Sequence, residues 1–206
     1  MDLTQVDSVV ISHGHYDHAG GLNDFLKINK RAKVYMKMEA LQPKFHKGDT
    51  FTGFEPDMSL LDGRVEFIDE ITNIGESIFI FPEIKIFNEA DTSFSGADTF
   101  RDELFVTVIQ NSAMTILSSC SHRGISNILK TAHDYFGLPV QSIIGGFHTR
   151  DASMERIGII AEEIRGYSPS SIGICHCTGL EVFSVFKEKI PDTRDYYNYS
   201  GKKTII

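Results

Sequence analysis

The stretch VVISHGHYDHAGGL, Val9 to Leu22, constrains this chain more than any other: a β-branched apolar run stops at Ser12, and three histidines and an aspartate follow within six positions. The residues VDSVVIS read as a buried strand, and GGLNDFLKIN then sets Leu22, Phe25, Leu26 and Ile28 at near-helical spacing. His13, His15, Asp17 and His18 therefore occupy the connection between a strand end and a helix start. In an extended exit from the strand His13 and His15 point the same way, so one ion can take both; Asp17 and His18 offer a carboxylate and an imidazole to a neighbouring ion. Ligands on a short turn lose little conformational entropy on binding, because the strand already fixes the chain's direction. The competing reading is a polar helix entry in which Asp17 only complements the helix dipole. It has to explain why a chain with eight histidines gathers three of them here.

Downstream, RAKVYMKMEALQPKFHK looks like a short strand and a helix that Pro43 interrupts or ends. From Gly63 to Glu89 short strands dominate (RVEFID, SIFIFP and EIKIFN), separated by turn residues such as Asn73-Ile74-Gly75, and ELFVTVIQ and AMTILSS flank Asn111-Ser112 as a hairpin. After Cys120, helical segments (GISNILKTAHDYFG, SMERIGIIAEEIRG, GLEVFSVFKEKI) alternate with strands (PVQSIIGG, SSIGICH), and the tail DTRDYYNYSGKKTII reads as a last strand or an interface. This is the pattern of an α/β domain of layered sheets covered by helices. With no repeat, low-complexity tract or linker, residues 1–206 read as one domain. His122, His148 and His176 each follow a predicted strand and precede a helix, where α/β folds collect their sites. One such histidine is readily satisfied by backbone carbonyls; three of them beside the first cluster point to a metal centre.

The 28 acidic against 20 basic residues give a formal net charge of -8, which argues against affinity built on neutralising nucleic-acid phosphates. MDLTQVDSVV lacks a basic leader segment and no apolar run approaches the ~20 residues of a membrane span, so a cytoplasmic protein is expected, with no membrane partner. Cys120, Cys175 and Cys177 are odd in number and sit in apolar contexts, which suits reduced thiols. Cys175 and Cys177 are expected to face away from His176 into the core, and Cys120 to be a buried thiol unless it faces the site. His46 and His133 read as surface residues. Arg123, next to His122, and Arg150, beyond His148, are candidate anchors for an anionic substrate.

SHGHYDH matches the pattern H-x-H-x-D-H, and its place between an apolar strand and a Gly-Gly helix entry resembles the metallo-β-lactamase superfamily. SCSHRGISNIL, IIGGFH and CHCTG, in this order, resemble its pterin-ribofuranosyl phosphate synthase branch, over Met1 to about Thr178. The resemblance implies an α/β fold, an αββα sandwich of two sheets flanked by helices. It also implies one or two divalent metal ions at one edge of the sandwich, zinc foremost, with iron or manganese as alternatives. Carried over residue by residue, His13 and His15 are first-ion ligands, Asp17 and His18 second-ion ligands, His122 a ligand close to both and His176 the final ligand. His148 is either a ligand or a proton donor.

Two departures stand out. The superfamily usually places another histidine before His122, and FNEADTSFSGADTFRDELF has none. Asp98, Asp102 or Glu103 are substitutes, against the favoured reading of a solvated acidic loop. Relatives also carry several strands ahead of the H-x-H-x-D-H strand, so an N-terminally shortened sandwich is expected, with an exposed sheet edge open to a homo-oligomer.

Together these features imply a metal-dependent hydrolase in which a metal-activated hydroxide attacks a small, phosphate-bearing substrate and Asp17 or His148 moves the proton. There are two rivals. Diiron redox members resemble H-x-E-x-D, with a carboxylate where this chain has His15, and rely on a flavin domain for which there is no room. A truncated or inactive remnant would instead act as a metal-binding or partner-binding module.

Overall fold

The structure is a computed structural model that describes residues 2–46, 49–94, 96 and 98–205. The first part of the chain forms β1 (Ser8–Val10), α1 (Tyr16–Ala19), α2 (Leu22–Ile28), β2 (Lys33–Met36), the small pair β3 (Phe45–His46) and β4 (Thr50–Phe51), α3 (Met58–Leu61) and β5 (Val65–Phe67). Strands β1, β2 and β5 make a parallel sheet with β2 in the middle. Parallel neighbours need crossover connections, and α2 and α3 supply them. Their Leu22, Leu26 and Leu61 pack on Val34 and Met36 of the central strand.

The second part contributes β6 (Thr72–Gly75), β7 (Ile78–Phe81), β8 (Phe105–Gln110), β9 (Ala113–Leu117), α4 (Ile125–Phe136), β10 (Val140–Gly145), α5 (Met154–Tyr167), β11 (Ser171–Ile174), α6 (Leu180–Lys189) and β12 (Arg194–Tyr197). These seven strands lie in sequence order across one sheet, an antiparallel meander from β6 to β9 and parallel from β9 to β12. At the β8–β9 hairpin Gln110 opposes Ala113, and Asn111 and Ser112 both take positive φ, 51° and 59°, as a two-residue turn of this hand requires. Ile128, Ile160, Ile164 and Phe186 of the helices bury against Ile143 and Ile172 of the sheet. On its other face Ile80 and Leu104 meet Tyr35 and Ile68 of the first half. The layers therefore run helix, sheet, sheet, helix, the expected αββα sandwich.

Several local expectations failed. EIKIFN is not a strand: the N–H groups of Lys85, Phe87 and Asn88 donate to Thr131 Oγ1 and Asn127 Oδ1 on α4. Asn73-Ile74-Gly75, expected as a turn, belongs to the edge strand β6, with a register shift between Asn73 and Gly75. The helix expected after β2 is only a 3-10 turn at Met38–Leu41. The tail resolves as a strand, since β12 pairs in parallel with β11.

Candidate metal centre

The chain leaves β1 in extended form: Ile11 N–H donates to Tyr35 O and Leu104 N–H donates to Ser12 O, each at 2.9 Å, so the approach to His13 is held by β2 and by the residue just before β8. Gly14 separates His13 from His15 because a Cβ there would lie 2.2 Å from the Ala40 carbonyl oxygen; its N–H donates to Asp102 Oδ2 at 2.7 Å. His13 Nε2 and His15 Nδ1 are 3.2 Å apart, and with His122 they form a group whose donor atoms all lie within 4.8 Å of one another. Two arms of ~2.0–2.1 Å on a tetrahedral ion span an edge of roughly 3.3 Å, so the spacing suits one ion.

His13 is fully buried, with its Nδ1 3.0 Å from Ser12 Oγ. His122 stacks flat on Phe100, centroids 3.7 Å apart, and its Nε2 is buried with no hydrogen-bond partner. An orphaned buried polar atom costs ~1–3 kcal/mol. An ion shared with His13 and His15 would remove that cost, so these residues fit the metal that the sequence implies.

Asp17, His18 and His176 make a second group. His18 Nε2 is 3.2 Å from His176 Nε2, and Asp17 Oδ2 lies 3.6 Å from the first and 3.3 Å from the second. Ser119 Oγ, 2.9 Å from His18 Nδ1, orients that ring. This group is open: the side chains of Asp17 and His176 are 40% and 43% exposed. Burial first, then the neighbouring imidazoles, holds His13 and His122 well below the ordinary histidine range. Burial also pulls His18 down to about 4, against the opposing pull of Asp17. Neutral imidazole is the form that binds metal.

Three loops that carry these donors interlock. Glu103 accepts the N–H groups of His122 and Arg123 at 2.8 and 2.7 Å, Ser121 Oγ donates to Gly146 O at 2.7 Å, and Phe147 N–H donates to Thr178 Oγ1 at 2.9 Å. They hold Phe100, Ser121, His148 and His176 at φ between 47° and 55°. Such backbone costs on the order of 1 kcal/mol or more per residue, and persists where its surroundings impose it.

Several expectations need correction. FNEADTSFSGADTFRDELF is not simply a solvated loop: Asp102 and Glu103 are buried, and Asp102 also takes Lys44 Nζ at 2.9 Å. Neither joins a donor group; each braces a loop that carries candidate donors. Arg123 is turned away, its guanidinium donating to the carbonyls of Ile84 and Thr99. Cys177 does not face away into the core: a 3-10 turn at His176–Thr178 replaces the expected strand and brings its sulfur beside Cys120, whose Sγ is 3.1 Å from His18 Nε2.

His148 packs 4.3 Å from His122, ring to ring, outside the donor groups found among the described residues. A cavity of ≈ 660 Å³ opens towards Tyr16, Phe45 and Phe94, and one of ≈ 310 Å³ towards Arg150 and His176. His15, Asp17, His122, His148 and Arg156 line both. Arg156 went unnoticed in the sequence, where it reads as one more polar residue of a helix. Its Nη2 donates to Asp91 O at 3.0 Å, and its Nε is buried without a partner.

Side chains that could hold metal ions gather at the strand ends of an αββα sandwich, and the comparisons with known proteins give that arrangement its class. The model of the metallo-beta-lactamase superfamily matches residues 1–107, and the chain belongs to that superfamily. It is 27% identical to the 7,8-dihydropterin-6-methyl-4-(beta-D-ribofuranosyl)-aminobenzene-5'-phosphate synthase of Methanocaldococcus jannaschii, covering 91% of this chain and 71% of the relative. An uncharacterized protein of the same organism is 24% identical over 95% of this chain and 77% of its own. The crystal structure of Tm1679, a metal-dependent hydrolase of the beta-lactamase superfamily, superposes with a TM-score of 0.84 at 28% identity, covering 96% of this chain and 78% of that one. Among the described residues no helix is long and apolar enough to cross a membrane.

Proposed function

We propose that this chain is a metal-dependent hydrolase of a small, phosphate-bearing substrate, with one divalent ion on His13, His15 and His122 and a second on Asp17, His18 and His176, zinc being the first candidate. The orphaned Nε2 of His122, buried where the two cavities meet, carries this reading. The ions supply Lewis acidity and bring a water's pKa towards neutrality. Arg156 and Arg150 present positive charge to the phosphate, and Phe45 and Phe94 offer an apolar wall. His148, free of ligand duties, gives its ring proton to the leaving group, and the Asp17 carboxylate takes the proton of the attacking water.

The relative from Methanocaldococcus jannaschii is named as a synthase, which favours a second reading: the same centre joining two substrates rather than splitting one. Metal analysis on the reconstituted wild type and on a His13→Ala/His15→Ala variant, followed by phosphoester, cyclic phosphodiester and lactone assays, tests both. About two equivalents and metal-dependent hydrolysis, both lost in the variant, are expected. Metal without hydrolysis, but with condensation of an aminobenzene ribofuranosyl phosphate, would favour the synthase. A folded wild type that takes up little metal would sink both.

A further inference from the structure

The loops after β9 and β11 each carry a cysteine, and they come together although β10 separates their strands in the sheet. They meet where β10 runs out: Gly146 N–H donates to Ser119 O at 2.8 Å and Cys175 N–H donates to Gly145 O at 3.1 Å. A Cβ on Gly146 would lie 2.6 Å from Cys177 Sγ and 2.8 Å from Ser119 O, so the missing side chain leaves the gap that the Cys177 sulfur fills. Cys177 Sγ donates to Cys120 O at 3.6 Å. The two sulfurs belong to one compact group with His176, whose atoms all lie within 4.8 Å of one another, and Cys175 is not part of it. Both cysteines line the ≈ 310 Å³ cavity; Cys120 is buried and Cys177 half-buried, so a solute in the cavity meets Cys177 first. The hydrolysis proposed above uses neither thiol.

We propose that Cys120 and Cys177 are an oxidative modification site, a thiol pair that a hydroperoxide converts into a disulfide tying the loop after β9 to the turn after β11. The Cys177 sulfur attacks the peroxide: an S–O bond forms, the O–O bond breaks, and the thiol hydrogen leaves in the water or alcohol released. The Cys120 sulfur then attacks the sulfenic sulfur: the S–S bond forms, the S–O bond breaks, and the second hydrogen leaves with that oxygen as water. Two thiols are oxidised and one peroxide is reduced. A disulfide holds its sulfurs ~2.05 Å apart, so these two have to close by less than about 3 Å, which turning the side chains about their Cα–Cβ bonds supplies. Cys120 Sγ lies 3.1 Å from His18 Nε2, and Cys177 follows His176 in the chain. Closing the bond therefore pulls on two members of the Asp17, His18 and His176 group. The bond itself does not depend on the two-ion reading above; its effect on the second ion does.

Hydrogen peroxide treatment of the reduced full-length protein, followed by thiol counting and non-reducing peptide mapping by mass spectrometry, tests this with no need for turnover. The three free thiols should fall to one, with Cys120 and Cys177 in a single cross-linked peptide, and dithiothreitol should restore all three. Cys175→Ser should leave the cross-link intact. Cys120→Ser should stop Cys177 at the sulfenic acid, which dimedone labels; if that variant fails to fold, the peptide map of the wild type and of Cys175→Ser assigns the pair. Three thiols surviving the peroxide, a disulfide that includes Cys175 or joins two chains, or sulfinic acids without a cross-link would overturn the proposal. Metal titration of the reduced and oxidised protein reads the consequence: the ion on Asp17, His18 and His176 should bind about tenfold or more weakly once the bond is closed. A cross-linked chain that binds both ions as tightly as the reduced one would overturn the link to the metal centre. A cross-link in a chain that takes up fewer than two ions when reduced would support the modification site and overturn the two-ion reading.

Discussion

In one group His13 and His122 are buried and His15 half-buried, while in the other Asp17 and His176 are exposed and only His18 is half-buried. The first group is braced from below: Asp102 holds the Gly14 N–H and Glu103 holds the His122 N–H. The second stands on helix and turn starts, with a serine hydroxyl orienting His18. Preorganisation is invested in one half of the centre and access in the other. A reaction needing a fixed ion and an exchangeable substrate position is served by that division.

The harshest break is removal of two donors from the more buried group. His13→Ala/His15→Ala should lower kcat/KM on the order of 10⁴-fold, ~5.5 kcal/mol of transition-state stabilisation, and take an ion with it. Asp17→Ala should leave the buried ion in place, as metal analysis of both variants would register. Equal metal loss in the two variants would mean that the groups do not bind independently.

Bracing comes next in size. Asp102→Ala leaves the Gly14 N–H without its acceptor and deprives the buried ammonium of Lys44 of one of its two carboxylates. About 4 kcal/mol of stability should be lost in denaturant titration, because breaking a buried pair leaves a charge under-compensated. Ser119→Ala, which touches only the open group, should cost about 1 kcal/mol or less. Similar losses would show that the buried group is no better braced than the exposed one.

Asp91 lets the wall common to both groups be tested by pH. Its carboxylate is buried, which pushes its pKa up to about 6 although the Ser126 N–H and hydroxyl donate to it. Below about pH 4 folded and unfolded chains both hold this proton. Between pH 4 and 6 the unfolded chain releases it first, so stability falls as pH rises, by up to ~3 kcal/mol from this group, and levels off above. Asp91→Asn should flatten that part of the curve in urea titrations at several pH values. An unchanged slope would assign the pH dependence to other carboxylates such as Glu103, whose burial pushes it up to about 7.

The features legible in the sequence were those set by local spacing. The H-x-H-x-D-H residues are near neighbours in the chain, and His122, His148 and His176 sit at strand ends whose apolar runs mark them. The braces were hidden because the partners of Asp102 and Glu103 are N–H groups on other loops, so their carboxylates looked solvated. Strand alternation stops at Ile174, and the turn beyond it rotates Cys177 towards Cys120. EIKIFN alternates like a strand, but Asn127 takes two of its donors. In the acidic loop and in EIKIFN a tertiary hydrogen bond overrode a local pattern, whereas at Cys177 the turn's own Thr178 N–H to Cys175 O bond did so.

The arginines give the smallest and most discriminating test. Sequence proximity to His122 favours Arg123 as the phosphate anchor; geometry favours Arg156, which lines both cavities while Arg123 is committed to the Ile84 and Thr99 carbonyls. Arg156→Ala should raise KM for a phosphoester about tenfold, ~1.4 kcal/mol, with a smaller effect on kcat, since a charge that binds substrate and transition state alike is lost from KM. Arg123→Ala should lower the Tm and leave KM unchanged, because it leaves two carbonyls without a donor and lines neither of the two site cavities. Arg156 has a structural duty towards Asp91 as well, so Arg156→Lys serves as the control: it keeps the charge, loses the planar fork, and should recover part of the KM but little of the stability. The opposite outcome, KM responding to Arg123 and not to Arg156, would place the anion on the side of the centre away from both cavities and break the link between the open donor group and substrate binding.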